Sequence, residues 1–130
     1  MSALKDYKQS VIDELRALNY TVYAGAMMKQ NYPYIQVYPQ GSYITGGSGS
    51  VSTRENTVRV SMNITIVAGL EDKDSSWEAM DEMISKCWSV VRNLDGVEVE
   101  TFPLEDRNGG RLLVANIGFS NEINIYEGDL

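Results

Sequence analysis

Apolar and polar residues alternate most cleanly between Thr57 and Ala68. Val58, Val60, Met62, Ile64, Ile66 and Ala68 fall on one side, and Thr57, Arg59, Ser61, Asn63 and Thr65 on the other. Successive side chains of an extended chain point to opposite faces. The pattern therefore predicts a long strand with one face on a core and the other toward water or a partner. After Gly69 the period lengthens, and Trp77, Met80, Ile84, Cys87, Trp88 and Val91 recur at helical spacing. Ser75-Ser76-Trp77-Glu78 matches a capping box, in which an N-cap Ser and a Glu three residues on satisfy each other's free amides. A helix is expected from there to about Asn93, with Asp95-Gly96 as its exit turn.

The flanks supply the remaining elements. Leu4, Tyr7, Val11, Ile12, Leu15 and Leu18 form one stripe of an amphipathic helix over 2–18, and Asn19, which tolerates a left-handed backbone, can close it. Tyr20-Thr21-Val22-Tyr23 is β-prone and ends at Gly25. Pro33 and Pro39 bracket Tyr34-Ile35-Gln36-Val37-Tyr38, a strand with Ile35 and Val37 facing the core and its tyrosines facing outward. Val97 to Phe102 alternates again and is cut by Pro103, and a polar turn over 105–110 follows. Leu113, Ala115, Ile117, Phe119, Ile123 and Ile125 share one face of a last long strand, with Leu112, Val114, Asn116, Ser120, Glu122 and Asn124 on the other. Gly118 within it suggests a bulge or a close approach.

The order α-β-β-β-α-β-β predicts one α+β domain over 1–130, with a mostly antiparallel sheet of about five strands and both helices packed on one face. Between the second and third strands, residues 40–54 have a centre made only of Gly and Ser. Such a run cannot bury apolar surface to offset its ordering entropy. It is also longer than the roughly two to five residues of an ordinary hairpin. It reads as a flexible arm for a partner, with a permissive connector as the alternative.

Charge narrows the function classes. The net charge of −7, with eleven basic residues scattered singly, argues against a nucleic-acid-binding surface. The run Glu71, Asp72, Asp74, Glu78, Asp81 and Glu82 reads as a solvated helix face near a helix N-terminus. No apolar run is long enough to span a bilayer, and the polar N-terminus predicts no secretory leader. There is no His, and the single Cys87 lies on the apolar helix face, so neither a His- or Cys-built metal site nor an activated thiol is expected. The glycines lack phosphate-loop spacing, and Glu98 with Glu100 reads as a pair of solvent-facing charges. The inventory predicts no catalytic function and no cofactor.

What remains points to protein contact. Thr57, Ser61, Asn63 and Thr65 give the long strand an uncharged polar outer face, and Asn116, Ser120 and Asn124 do the same for the last strand. Tyr32, Tyr34, Tyr38 and Tyr43 cluster before and within the arm, and tyrosine is enriched at interfaces. The candidate contact residues are Tyr34, Tyr38, Tyr43, Ile44, Arg54, Thr57, Arg59, Ser61, Asn63 and Arg107.

From the N-terminal helix through Tyr-Pro-Tyr-Ile-Gln-Val-Tyr, the Gly/Ser stretch, the strand Val58–Val67, the helix with Trp77 and Met80, the turn Glu105–Arg107 and the ending Ile123-Asn124-Ile125-Tyr126-Glu127, the chain resembles the tail-terminator (minor tail protein U-like) proteins of long-tailed bacteriophages. The likeness runs from about Ser2 to Tyr126 and rests on order and pattern. It implies a virion protein made in the host cytoplasm that forms a homo-oligomeric ring, usually of six subunits, at the head-proximal end of the tail. The ring would cap the tail tube, stop its polymerisation and dock the head-tail connector or stopper protein, with DNA passing through the lumen without specific binding. A head-side stopper or neck role and a small ligand-binding or regulatory domain are the alternatives.

Overall fold

The computed structural model describes residues 3–25, 32–46, 57–105 and 110–124. Along the chain run α1 (Ala3–Arg16), β1 (Val22–Ala24), β2 (Tyr34–Gly46), β3 (Thr57–Leu70), α2 (Asp74–Val91), β4 (Asp95–Glu105) and β5 (Arg111–Asn124). The strands form one sheet in the order β1-β2-β3-β5-β4, antiparallel except for the β1–β2 pair. This is the α+β architecture that the two hydrophobic periods predict.

β3 lies between β2 and β5, and its inward row is the centre of the core. Val60, Met62, Ile64 and Ile66 are buried. Ile64 lies between Val37 and Ile117, and Ile66 between Ile35 and Ala115, so three strands present one apolar surface in register. Val11, Ile12 and Leu15 of α1 and Met80, Met83, Cys87 and Val91 of α2 close over it. α1 ends in a turn in which Asn19 takes a left-handed φ of 69°, the role its side chain suits.

Several boundaries differ from the sequence expectation, each for a local reason. β2 does not stop at Pro39. It continues to Gly46 through a register shift between Pro39 and Ile44, which absorbs the missing N–H. The first part of the expected arm is thus strand, and the remainder over 47–54 lies outside the described residues. β4 likewise runs through Pro103, which an edge strand tolerates. Asp95-Gly96 forms no separate exit turn. Gly96, with φ of +59°, lies in the shift between Asp95 and Glu98 where β4 has one residue more than β5. β1 covers only Ile35 to Val37, so β2 from Tyr38 onward has no strand beyond it among the described residues.

The capping box does not form. α2 begins at Asp74 with Lys73 in the N-cap position and no side-chain cap. Ser76 is instead buried against β3. A Cβ on Gly69 would come within 2.6 Å of the Ser76 hydroxyl oxygen, and Gly69 holds a φ of +147°, so this crossing requires glycine. With Ser76 inward, the buried line of the helix is Ser76, Met80, Met83, Cys87 and Val91. Trp77, one residue on, is turned by about 100°. Trp77 and Trp88 therefore leave the core stripe and stand 48% and 40% exposed, and Ile84 is only half-buried.

Two outcomes test this packing. Ile64→Ala should lower unfolding free energy by about 2–5 kcal/mol in urea titrations, whereas Ile84→Ala should cost clearly less. Burial also pushes the Cys87 thiol from its ordinary 9.0 up to about 12. Between those values the folded chain holds a proton that the unfolded chain has lost, so this contribution is intact below 9.0 and stability falls as pH rises toward about 12. Ellman's reagent at about pH 8 should leave the native thiol unmodified and titrate it on unfolding.

Candidate functional site

The face of the sheet turned away from the helices is assembled from short polar side chains in cross-strand register. Thr65 lies opposite Gln36 on one side and Asn116 on the other; Asn63 lies opposite Tyr38 and Gly118; Ser61 lies opposite Ser120. Alternation alone puts these residues on one face, and the register brings them within hydrogen-bond reach.

The bonds form a directed chain across three strands. The Thr65 hydroxyl donates to Asn116 Oδ1 at 2.8 Å. It has one proton to give, so the 2.8 Å contact with Tyr38 has the phenol as donor. Asn116 Nδ2 in turn donates to Asn63 Oδ1 at 3.0 Å. Beside this chain the Ser61 and Ser120 hydroxyls meet at 2.8 Å. Gln40, two residues beyond Tyr38 on the continued β2, donates its amide to the Met62 carbonyl at 2.9 Å. Gly118 makes room for it, since a Cβ there would lie 3.1 Å from Gln40 Nε2. The close approach expected at Gly118 is thus to a side-chain amide, with the bulge on the neighbouring strand.

Charge enters at the margins. Arg59 reaches Asp95 and Glu122, each at 3.4 Å. These partly exposed pairs contribute little to stability, below about 1 kcal/mol apiece. They do hold the Arg59 guanidinium between two carboxylates. Glu98 and Glu100, opposite Gly118 and Asn116, are exposed on the same face and add negative charge along the β4 edge.

Of the ten candidate contact residues, Tyr38, Arg59, Ser61 and Asn63 come together on this face. Thr57 opens β3 opposite Asn124 in the same register. Tyr34 does not belong to the set as an accessible residue. It is buried with Val67, Leu112 and Val114 in a second apolar cluster, against which Tyr23, Tyr32 and Leu70 pack. Its ring meets Tyr23 edge-on with centroids 5.8 Å apart. Both faces of the sheet are covered at that end, which is why Leu112 and Val114 are buried as well. Tyr43 is half-buried against the main core, with the Lys8 ammonium 5.6 Å from its ring centroid. Ile44 is on β2 and 44% exposed. Arg54 and Arg107 lie outside the described residues. Gln40 keeps the alternation of Gln36 and Tyr38 but lies past Pro39, where the sequence pattern ends the strand, so it is not among the ten.

What the arrangement offers chemically is a set of fixed hydrogen-bond donors and acceptors that can bind and orient a partner. Among the described residues, no group of three or more His, Cys, Asp or Glu side chains could hold a metal ion. A cleft of about 360 Å³ lies elsewhere, where α2 starts over β3, lined in part by Tyr32, Gly69, Lys73 and Ser76. Another of about 260 Å³ lies beside Glu71, Gly110 and Arg111. No helix among the described residues is long and apolar enough to cross a membrane.

No family model and no curated protein matches the sequence. One solved structure aligns with 92% of this chain and 90% of its own at 12% identity, with a TM-score of 0.48. That degree of likeness carries no functional inference.

The hydroxyl of Thr65 is the hinge of the polar chain, and it is buried. Thr65→Val should cost about 1–3 kcal/mol, because Tyr38 loses its acceptor and Asn116 its donor. Thr65→Ser, which restores both bonds, should recover most of the loss in the same urea titration.

Proposed function

We propose that this chain is a structural subunit of a long-tailed bacteriophage virion, a tail-terminator-like protein that acts without catalysis. In this reading it forms a homo-oligomeric ring of six copies at the head-proximal end of the tail. The ring ends polymerisation of the tail tube and offers the docking surface for the head-tail connector.

The reading begins from the sequence resemblance, and one observation supports it: the broad sheet face whose polar groups are bonded mainly to one another. Such a face is stiff, because its side chains have already given up their rotamer freedom, and association then costs less. Tyr38 and Asn63, with buried Ser61 bonded to Ser120 beside them, supply a firm uncharged surface suited to a joint between protein subunits. Glu98 and Glu100, exposed at its β4 margin, suit the wall of a DNA conduit. Like charge keeps phosphate from adhering there, so DNA passes without specific binding.

The test is a mixing experiment with purified tail tube protein, read by negative-stain electron microscopy. A terminator shortens the tube-length distribution and leaves rings at one tube end. An unchanged distribution at saturating protein sinks the reading. Rings that cap isolated connectors but ignore tubes would move the chain to a head-side stopper role.

A further inference from the structure

The two tryptophans of this chain share an exposed edge of α2. They are eleven residues apart in a helix that turns about 100° per residue, so they lie within about 20° of the same azimuth and about 16 Å apart along the axis. Half-buried Ile84 falls between them on the same line. Indoles dominate binding energy at protein interfaces, and the sheet fold leaves both of these uncovered, at 48% and 40% exposure. The Trp77 ring is already fixed, because its Nε1 donates to the Glu71 carbonyl at 2.9 Å. A pinned aromatic ring loses little further freedom on binding.

Charge selects the occupant. Asp81 lies between the two rings on this edge, with Asp74 and Glu78 beside Trp77, and Arg92 stands one turn beyond Trp88. All four are exposed. None of the three carboxylates takes part in an ion pair among the described residues. The Glu82–Lys86 bridge, at 2.9 Å, lies on the opposite flank, where Lys86 also approaches the Tyr20 ring. A second copy of the same edge would bring like charges together in a protein already at −7.

We infer that the Trp77–Trp88 edge of α2 is a docking surface for a basic, partly apolar segment of another protein. Its Lys or Arg residues sit against the indole faces and the carboxylates, and its apolar residues cover Ile84. This surface lies on the helical side of the sheet and does not depend on the ring reading of the opposite face.

Because Trp77 and Trp88 are the only tryptophans, their emission reports the edge without a label. The probe is a synthetic amphipathic peptide of Leu and Lys, with a Leu and Glu peptide of the same pattern as its counterpart. The Leu/Lys peptide should shift the emission to shorter wavelength in a saturable way. Calorimetry should show its affinity falling roughly thirtyfold in Trp77→Ser/Trp88→Ser. Affinity should also fall with added salt and in Asp74→Asn/Glu78→Gln/Asp81→Asn, while the Leu/Glu peptide stays unbound. Unaltered circular dichroism confirms that the variants are folded, and Trp77→Phe/Trp88→Phe, which keeps aromatic faces, should bind between wild type and the Ser variant. Equal binding by wild type and the Ser variant overturns the inference, as does equal binding of the two peptides. A Trp-dependent dimer in sedimentation equilibrium would assign the edge to a second copy, and Trp-dependent flotation with phosphatidylcholine vesicles would assign it to a membrane surface. Either outcome also overturns it.

Discussion

The fold depends on a single apolar row. Val60, Met62, Ile64 and Ile66 of β3 are reached from one side by β2, from the other by β5, and from above by both helices. Each strand adds its own inward residues to that surface, so the sheet and the helices have one common buried ground. The crossing of Gly69 and Ser76 sets how α2 descends onto it. That crossing is a backbone constraint first, since Gly69 holds a φ of +147° that residues with a side chain rarely adopt. Its consequence reaches the whole helix, because fixing Ser76 inward decides which line is buried and which edge carries the tryptophans.

The two faces of β3 are built on different physics. The inner face is held by burial, which is insensitive to direction. The outer face is held by hydrogen bonds, which are not: Tyr38, Thr65, Asn116 and Asn63 work only with their donors and acceptors in the right order. Thr65 and Ser61 are buried although they lie on the outer face. A polar outer face therefore need not be a solvent face.

Much of this was legible in the sequence. Period-two alternation identified β3 and β5, period-3.6 spacing identified both helices, and their order gave the α+β arrangement. Short-range signals were less dependable. Ser75-Ser76-Trp77-Glu78 has the letters of a capping box, but tertiary packing against Gly69 claims Ser76 and the helix starts at Asp74. Pro39 and Pro103 looked like strand ends, yet a register shift in one case and an edge position in the other let the strands continue. Tyr34 follows the outward period and is nonetheless buried, because the second cluster covers that end of the sheet. Within the candidate face, residue type and alternation identified Ser61, Asn63, Thr65, Asn116 and Ser120. The joining of these residues into one network needed the cross-strand register, which no local pattern encodes.

The direction of that network has a further meaning. With the Tyr38 proton committed to Thr65, the phenol oxygen retains acceptor capacity, while Asn63, whose carbonyl oxygen is occupied by Asn116, keeps an amide group that can only donate. The two residues sit directly opposite each other on neighbouring strands. A surface docking on this patch is therefore read by the polarity of its own groups: the Tyr38 oxygen takes a donor, and the Asn63 amide N–H groups take an acceptor. An acceptor set against the Tyr38 oxygen would find no proton there. Neutral side chains can in this way impose orientation on a contact that net charge alone would leave undetermined.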